Sequence, residues 1–441
     1  MAATDVGATE IPGPAGDRLL GNLQSFATDP LAFLTRCART YGDVVRIGEQ
    51  NVLLTHPSYV ERVLVDRASS FVKRGPETQR DSRRQGLPLS TMNSEGDEWR
   101  VRRHRVQPAF GRKLTQAAAE TVDAQSDRML TAWKDGDTRD LQADVSLVTL
   151  RLVTSLLFGE EFTDGEAEDV ARLVGAIMDL STNPVILPSW IPTPTHVRVR
   201  RSLTKVDRAL AHVAAAVRTR TPERAPLLHA LIGGSPPPSA AEIHDELATM
   251  VMAGYETTND AVVWACVLLA QHPEAAERVH EEARAAFGTV DPGPPRTAAL
   301  RYTDAVVREA LRLYSPVWIT SRDAAEDLTF GDHVVPSGTT VTVSQWVNHR
   351  DPRFWDRAET FLPERWLDGG PSTVPRGSYF PFGLGPRACI GASVATIETV
   401  HIVADIWRRF SLSLAGPAAV RPRPALALQP VNAGFTVRRR G

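Results

Sequence analysis

The sequence predicts a mainly α-helical protein with a small β-rich region, and three observations lead there. Apolar residues recur at three- and four-residue steps over long stretches, the period that puts them on one helix face. Short valine-, threonine- and phenylalanine-bearing runs cluster between Leu328 and Ser344, broken by glycines. Of 441 residues, 42% are hydrophobic and 23% charged, the balance of a globular chain with material for a large core.

Taken in order, the chain enters through Pro12-Gly13-Pro14, and residues 1–11 read as a flexible N-terminus before one domain over 12–441. Asp29 as cap, Pro30 at the first helical position and apolar Leu31, Leu34 and Ala38 predict a helix to Tyr41, closed by Gly42. Val44–Ile47 and Val52–Thr55 flank Gly48-Glu49-Gln50-Asn51 as a hairpin, and Pro57 opens another helix. From Ser69 to Asp97 the chain reads as one long irregular stretch, a length usual for lids and binding loops. The middle section is helical, interrupted by the apolar, proline-rich Asn183–Pro192 and by Gly233–Pro238. Ser239 and Glu242 form a capping box. It starts the longest helical pattern, through Leu247, Met250, Val251, Gly254, Thr258, Ala261, Ala265 and Leu268 to His272-Pro273. Further helices run from Pro273 to Phe287 and from Arg301 to Tyr314, and Ser411 to Arg439 alternates as β-hairpins.

The formal net charge of −2 argues against nucleic acid as a partner, because no basic excess exists to neutralise phosphates. Cys37, Cys266 and Cys389 are odd in number and far apart, which points away from a disulfide framework. The N-terminus has neither a basic nor an apolar signal region, and no run approaching eighteen apolar residues is evident, so no transmembrane segment and a cytoplasmic protein are expected. Only four lysines accompany many arginines, a bias typical of GC-rich bacterial coding.

The stretch that carries chemistry is Phe382-Gly383-Leu384-Gly385-Pro386-Arg387-Ala388-Cys389-Ile390-Gly391. A thiolate ligand needs backbone N–H groups aimed at sulfur, a nearby cation and a helix N-terminus. Gly385 and Gly391 permit the turns, Arg387 brings charge, and a helix begins at Ala392. Inside the longest helix lies Ala253-Gly254-Tyr255-Glu256-Thr257-Thr258, with a glycine that costs about 1 kcal/mol in a helix interior and threonines that compete for backbone carbonyls. Such a stretch suits either a ligand approaching the backbone or a helix–helix contact through small residues.

The pattern Phe382, Gly385, Arg387, Cys389, Gly391 resembles the haem loop of cytochrome P450 enzymes, and three further motifs follow in the family's order. The resemblance spans the chain from Pro12 and implies a triangular helical prism enclosing haem b, with Cys389 as the axial ligand to iron. Phe382, Gly385, Arg387 and Gly391 would frame the cofactor, beside Ala253 and Gly254 on its other face. Thr257 and Glu256 match the family's oxygen-activating alcohol and its acidic neighbour, since reductive cleavage of dioxygen needs two protons. Glu309, Arg312 and Arg365 match its structural Glu-x-x-Arg plus Arg triad. Trp99 and Arg103, four apart on one helix face, would meet a haem propionate, with Arg322 and Arg387 as further partners. The remaining arginines near Trp99 suggest a docking patch for an acidic redox partner.

The implied reaction is monooxygenation of a small, mostly apolar substrate. Dioxygen supplies the oxygen, and NAD(P)H supplies electrons through a ferredoxin reductase and a ferredoxin, the enzyme itself being monomeric. The expected pocket lining is Leu87, Leu89, Met92, Val185, Ile186, Leu187, Val317 and Trp318, none formally charged. Asp29–Leu34 and Tyr41–Ile47 resemble bacterial members that oxidise terpenes, with fatty acids and macrolides as alternative substrates. Two rival classes are a peroxide-driven peroxygenase, distinguished by turnover with hydrogen peroxide alone, and a haem sensor or electron carrier, which has no use for Glu256 and Thr257.

Overall fold

The computed structural model describes residues 10–17, 21–66, 68–73, 90–159, 162–181, 193–216, 221–233, 237–288, 296–367, 374–416 and 419–440. Among these, the longer helices are α1 (Pro30–Tyr41), α2 (Gly96–Val106), α3 (Arg112–Thr131), α4 (Leu141–Phe158) and α5 (Asp164–Ser181). They continue with α6 (Pro194–Ala216), α7 (Ala240–Gln271), α8 (Pro273–Gly288), α9 (Arg301–Leu313) and α10 (Ala392–Arg409). The local signals work as read. Asp29 accepts the Ala32 N–H at 2.9 Å to cap α1, and both halves of the Ser239/Glu242 capping box form at the start of α7.

The 32-residue α7 is the axis of the bundle, buried along most of its length and packed chiefly against α4. Around these two, α3, α10, α8 and α9 close one continuous apolar core holding Trp264, Trp407 and Trp133. Helix α4 corrects the sequence reading of apolar runs. It is 18 residues long with a mean hydropathy of 1.4, long and apolar enough to cross a membrane, but it lies mostly buried in the bundle.

The β-rich region is a five-stranded sheet in the order β1 (Val44–Gly48), β2 (Asn51–Leu54), β8 (Thr340–Val343), β5 (Thr320–Ala324), β3 (Phe71–Val72). All its pairings are antiparallel except β2 with β8, which brings Asn51 opposite Thr340 and Leu54 opposite Val343. A small hairpin, β6 (Leu328–Phe330) with β7 (His333–Val335), packs its apolar residues with this sheet. The stretch expected to be irregular throughout from Ser69 to Asp97 contributes β3 and the first turn of α2, and residues 74–89 lie outside the described set. Near the C-terminus, β12 (Gly434–Arg439) lies between β4 (Thr138–Asp140) and β9 (Phe410–Leu414). A hairpin of β10 (Arg421–Pro424) and β11 (Leu428–Val431) is fastened to α7 by Trp264 Nε1, which donates to the Leu428 carbonyl at 2.8 Å.

Candidate active site

The cysteine loop is built from backbone. Cys389 N–H donates to the Phe382 carbonyl at 2.8 Å and Ala388 N–H to that of Gly385 at 3.1 Å, winding the chain tightly before α10 begins. Gly385 has φ +70, and a Cβ there would stand 2.0 Å from the Leu64 carbonyl oxygen, so glycine is required twice over. Cys389 is exposed, whereas Cys37 and Cys266 are buried. Burial of its surroundings pushes the Cys389 thiol up, against the Gly391 N–H and the Arg103 charge that pull it down. The cation beside sulfur is thus Arg103, not the Arg387 expected from the loop sequence. Arg103 donates to the Ala388 carbonyl at 3.1 Å.

Arg387 instead donates to the Ser94 carbonyl and to Glu95, at 2.9 and 2.6 Å, and lies 4.5 Å over the Trp99 ring. Arg322 sits close enough to Arg387 that burial and mutual repulsion push its guanidinium down to about 10, and it donates to the adjacent Ser321 carbonyl at 2.8 Å. Trp99 and Arg103 thus both lie beside Arg387, Trp99 under its guanidinium and Arg103 near enough to repel it. Arg322 and Arg387 share one carboxylate, Glu95, and Arg103 stands near Arg387, leaving surplus positive charge beside an exposed thiol. That donor set fits a dianionic macrocycle held by one sulfur: the thiol for the metal, Arg322 and Arg387 for the acid groups.

Behind the loop, Glu309, Arg312 and Arg365 meet, and not as the surface pair that their spacing alone suggests. Glu309 and Arg312 are fully buried and joined by two 2.9 Å bonds, and Arg365 adds a third to Glu309 at 3.0 Å. Burial would raise the Glu309 carboxyl, but the two arginines overcome it and hold it below its ordinary range. Arg312 spends its remaining donors on the carbonyls of His349, Ala358 and Thr360, and Trp366 Nε1 donates to Glu309. Sequence reasoning missed His349. Its Nδ1 faces the Arg312 carbonyl at 3.2 Å and its Nε2 accepts the Phe380 N–H at 2.9 Å. The ring therefore links the triad helix to the segment leading into the cysteine loop. Burial and two neighbouring arginines push it down to about 3, so it is neutral.

On α7, Ala253 is exposed and Thr257 partly so, and the Thr257 hydroxyl donates to the Ala253 carbonyl at 2.8 Å. A Cβ on Gly254 would meet the Val153 side chain of α4 at 2.8 Å, so the glycine lets these two helices pack closely. Glu256 is buried, accepting from Tyr255 and from the Gln429 amide of the C-terminal hairpin. Arg423 of the same hairpin donates to Gln429. Nothing in the local sequence marks these partners, because β-hairpin and helix are brought together only by the tertiary fold.

Of the expected pocket lining, Leu87, Leu89, Val185, Ile186 and Leu187 lie outside the described residues. Val317 and Met92 are 39% and 45% exposed. Trp318 is a correction: it is 6% exposed in the core beside α1, because a buried indole N–H needs an acceptor and finds the Ala425 carbonyl at 2.9 Å.

The comparisons with known proteins agree with this geometry. The family described as Cytochrome P450 matches residues 11–437. Cyclooctatin synthase of Streptomyces melanosporofaciens is 30% identical over 94% of this chain and 92% of its own. Cyclooctat-9-en-7-ol 5-monooxygenase of the same species is 31% identical over 90% and 88%. Pentalenene oxygenase of Streptomyces avermitilis is 28% identical over 93% and 92%. A solved P450 structure from Thermus thermophilus superposes with a TM-score of 0.76 at 27% identity, covering 98% of this chain and all of that one. With a match running nearly end to end and the exposed thiol seated in its glycine loop, the chain belongs to the cytochrome P450 family and is one of its monooxygenases.

Proposed function

We propose that this enzyme transfers one oxygen atom of dioxygen to a C–H or C=C bond of a small, mostly apolar terpenoid. The second atom leaves as water, with two protons and two electrons consumed. The observation that carries the reaction is the acid–alcohol pair on α7, a half-exposed Thr257 hydroxyl followed along the chain from buried Glu256. Haem b, held by Cys389 with Arg322 and Arg387 on its acid groups, supplies dioxygen activation when bound.

The chain's own residues govern protons. Gln429 occupies Glu256 Oε1, so a proton carried by Glu256 sits on Oε2. Burial raises this carboxyl, which makes it a readier proton carrier than an exposed glutamate. From there a water passes the proton to Thr257 Oγ1, whose own hydrogen is free to leave the Ala253 carbonyl.

The terpenoid preference rests on the relatives named for pentalenene and cyclooctat-9-en-7-ol. Electrons would come from NAD(P)H through a ferredoxin reductase and a ferredoxin. Exposed Arg100 and His104 on α2, the helix that also bears Arg103, offer an acidic partner a landing site close to Cys389. A monomeric cytoplasmic enzyme is the setting this reading implies. The test is an absorption titration of the ferric protein with sesquiterpene and diterpene hydrocarbons, fatty acids and macrolactones. A saturable low-to-high-spin conversion with terpenes alone is expected; saturation with fatty acids or macrolactones instead overturns the substrate class.

A further inference from the structure

One turn beyond Glu256, α7 carries another buried carboxyl, Asp260, at 0% exposure. Residues four apart on a helix bring their Cβ atoms to about 5–6 Å, so the two acids share one site. Gln142 of α4 donates its amide Nε2 to Asp260 Oδ1 at 2.7 Å. The other ends of both groups, Asp260 Oδ2 and Gln142 Oε1, are buried and have no hydrogen-bond partner among the described residues. Both are acceptors if Asp260 is ionised, and two orphaned acceptors side by side cost about 1–3 kcal/mol each. A single hydrogen on Oδ2 satisfies both, since a carboxylic acid and a primary amide can pair through two reciprocal bonds.

The charges around the pair favour the same placement. Glu256 receives Gln429, Tyr255 and the charge of Arg423; Asp260 has Gln142 as its hydrogen-bond donor and feels the Glu256 charge more strongly than that of Arg423, which reaches it too. Arg423 is itself drawn outward by Asp179 of α5, 3.4 Å away. Tyr255, which bonds Ser146 of α4, is held neutral by burial and by both acids. Burial and the Glu256 charge together hold the Asp260 carboxyl well above its ordinary range.

We propose that Asp260 is the neutral half of a proton-sharing carboxyl pair: locked to Gln142 as an acid, it stores a proton beside Glu256 and returns it when Glu256 has given up its own. Asp260 is a positioning residue that acts through Glu256, and its role in turnover rests on the monooxygenase reading above. The storage itself does not.

The test is infrared difference spectroscopy of the haem-loaded protein across pH, in a Glu398→Gln background that removes another buried acid. Subtracting Asp260→Asn from its parent should show loss of one protonated-carboxyl band at neutral pH. In Glu256→Gln the same band should titrate away about one pH unit or more lower, because the repelling charge is gone. Gln142→Leu should shift its frequency. Absence of the band in the first subtraction shows Asp260 ionised and overturns the proposal, as does a band whose titration ignores residue 256. Neither readout uses turnover, so failure of the monooxygenase reading would show separately, as absence of product from the parent enzyme.

Discussion

The two sides of the thiol loop are built on different terms. Behind it, Glu309, Arg312, Arg365, His349 and the backbone carbonyls they hold form one closed network with each charge paired and nearly every member buried. In front of it, the functional surface is assembled from remote segments: α7, the tip of the β10–β11 hairpin, and the loop carrying Val317. A network that must fix one sulfur in one place tolerates one solution. A surface that must accept a substrate has many. Fixed residue spacing is therefore informative behind the loop and poorly so in front of it.

The largest break of that contrast is Arg312→Ala. It takes two of five hydrogen bonds from the buried Glu309 carboxylate and orphans three carbonyls, a loss of about 3–5 kcal/mol. Chemical denaturation should show that loss, and purified protein should carry little haem.

The same substitution made on both sides sharpens the comparison. Gly385→Ala forces a side chain onto the Leu64 carbonyl at a positive φ, a clash between backbones with no soft atom to yield. We expect loss of about 2 kcal/mol or more with a displaced cysteine loop. Gly254→Ala meets Val153 Cγ2 at 2.8 Å, so a stiff valine must shift, while helix propensity returns up to about 1 kcal/mol. Its melting temperature should fall less than that of Gly385→Ala, and haem loading should match the parent.

These positions also mark what the sequence made legible. The loop around Cys389 and the Glu309–Arg312 step are local, so their spacing survives as pattern, and helix ends such as Asp29 and Ser239 announce themselves by capping chemistry. His349 was invisible because it works through backbone atoms, Arg312 O and Phe380 N, that carry no side-chain signature. Gln429 and Arg423 lie far along the chain from Glu256 and meet it only through hairpin docking. Asp260 had a faint signal, an acid four residues after another inside an otherwise apolar run. Trp318 misled because an aromatic beside an expected pocket suggests a wall, whereas its N–H ties it to the core.

pH separates the regions next. His349 sits near 3 when folded and about 6.5 when unfolded, so the unfolded chain binds the extra proton. Its contribution to stability is lost as pH falls through that interval, at about 1.4 kcal/mol per unit at most. His349→Asn should flatten the acid limb of a denaturation-versus-pH curve, even if it lowers the whole curve. Glu398 of α10 has the opposite sign. Burial pushes it up to about 8, with Thr258 of α7 bonded to it, so the folded state keeps a proton that the unfolded state releases above about 4.5. Stability then declines as pH rises from about 4.5 through 8, and Glu398→Gln should remove that decline. If the alkaline limb is unchanged, the carboxyl is ionised inside the fold.

The smallest effect tests where the front surface ends and the core begins. Trp318 and its neighbour Val317 were both expected at the pocket, but only Val317 is open. Trp318→Phe keeps an aromatic of similar shape and deletes the bond from Nε1 to the Ala425 carbonyl, at the turn of the hairpin that holds Gln429. An orphaned carbonyl and one lost bond cost about 1 kcal/mol. Stability should fall by that amount, while the spectral titration with a terpene keeps its midpoint, because no pocket atom has moved. Val317→Ala should do the reverse, leaving stability nearly unchanged and shifting the midpoint. Should Trp318→Phe shift the titration as strongly as Val317→Ala, the indole is part of the pocket after all and the boundary between the two regions runs one residue deeper.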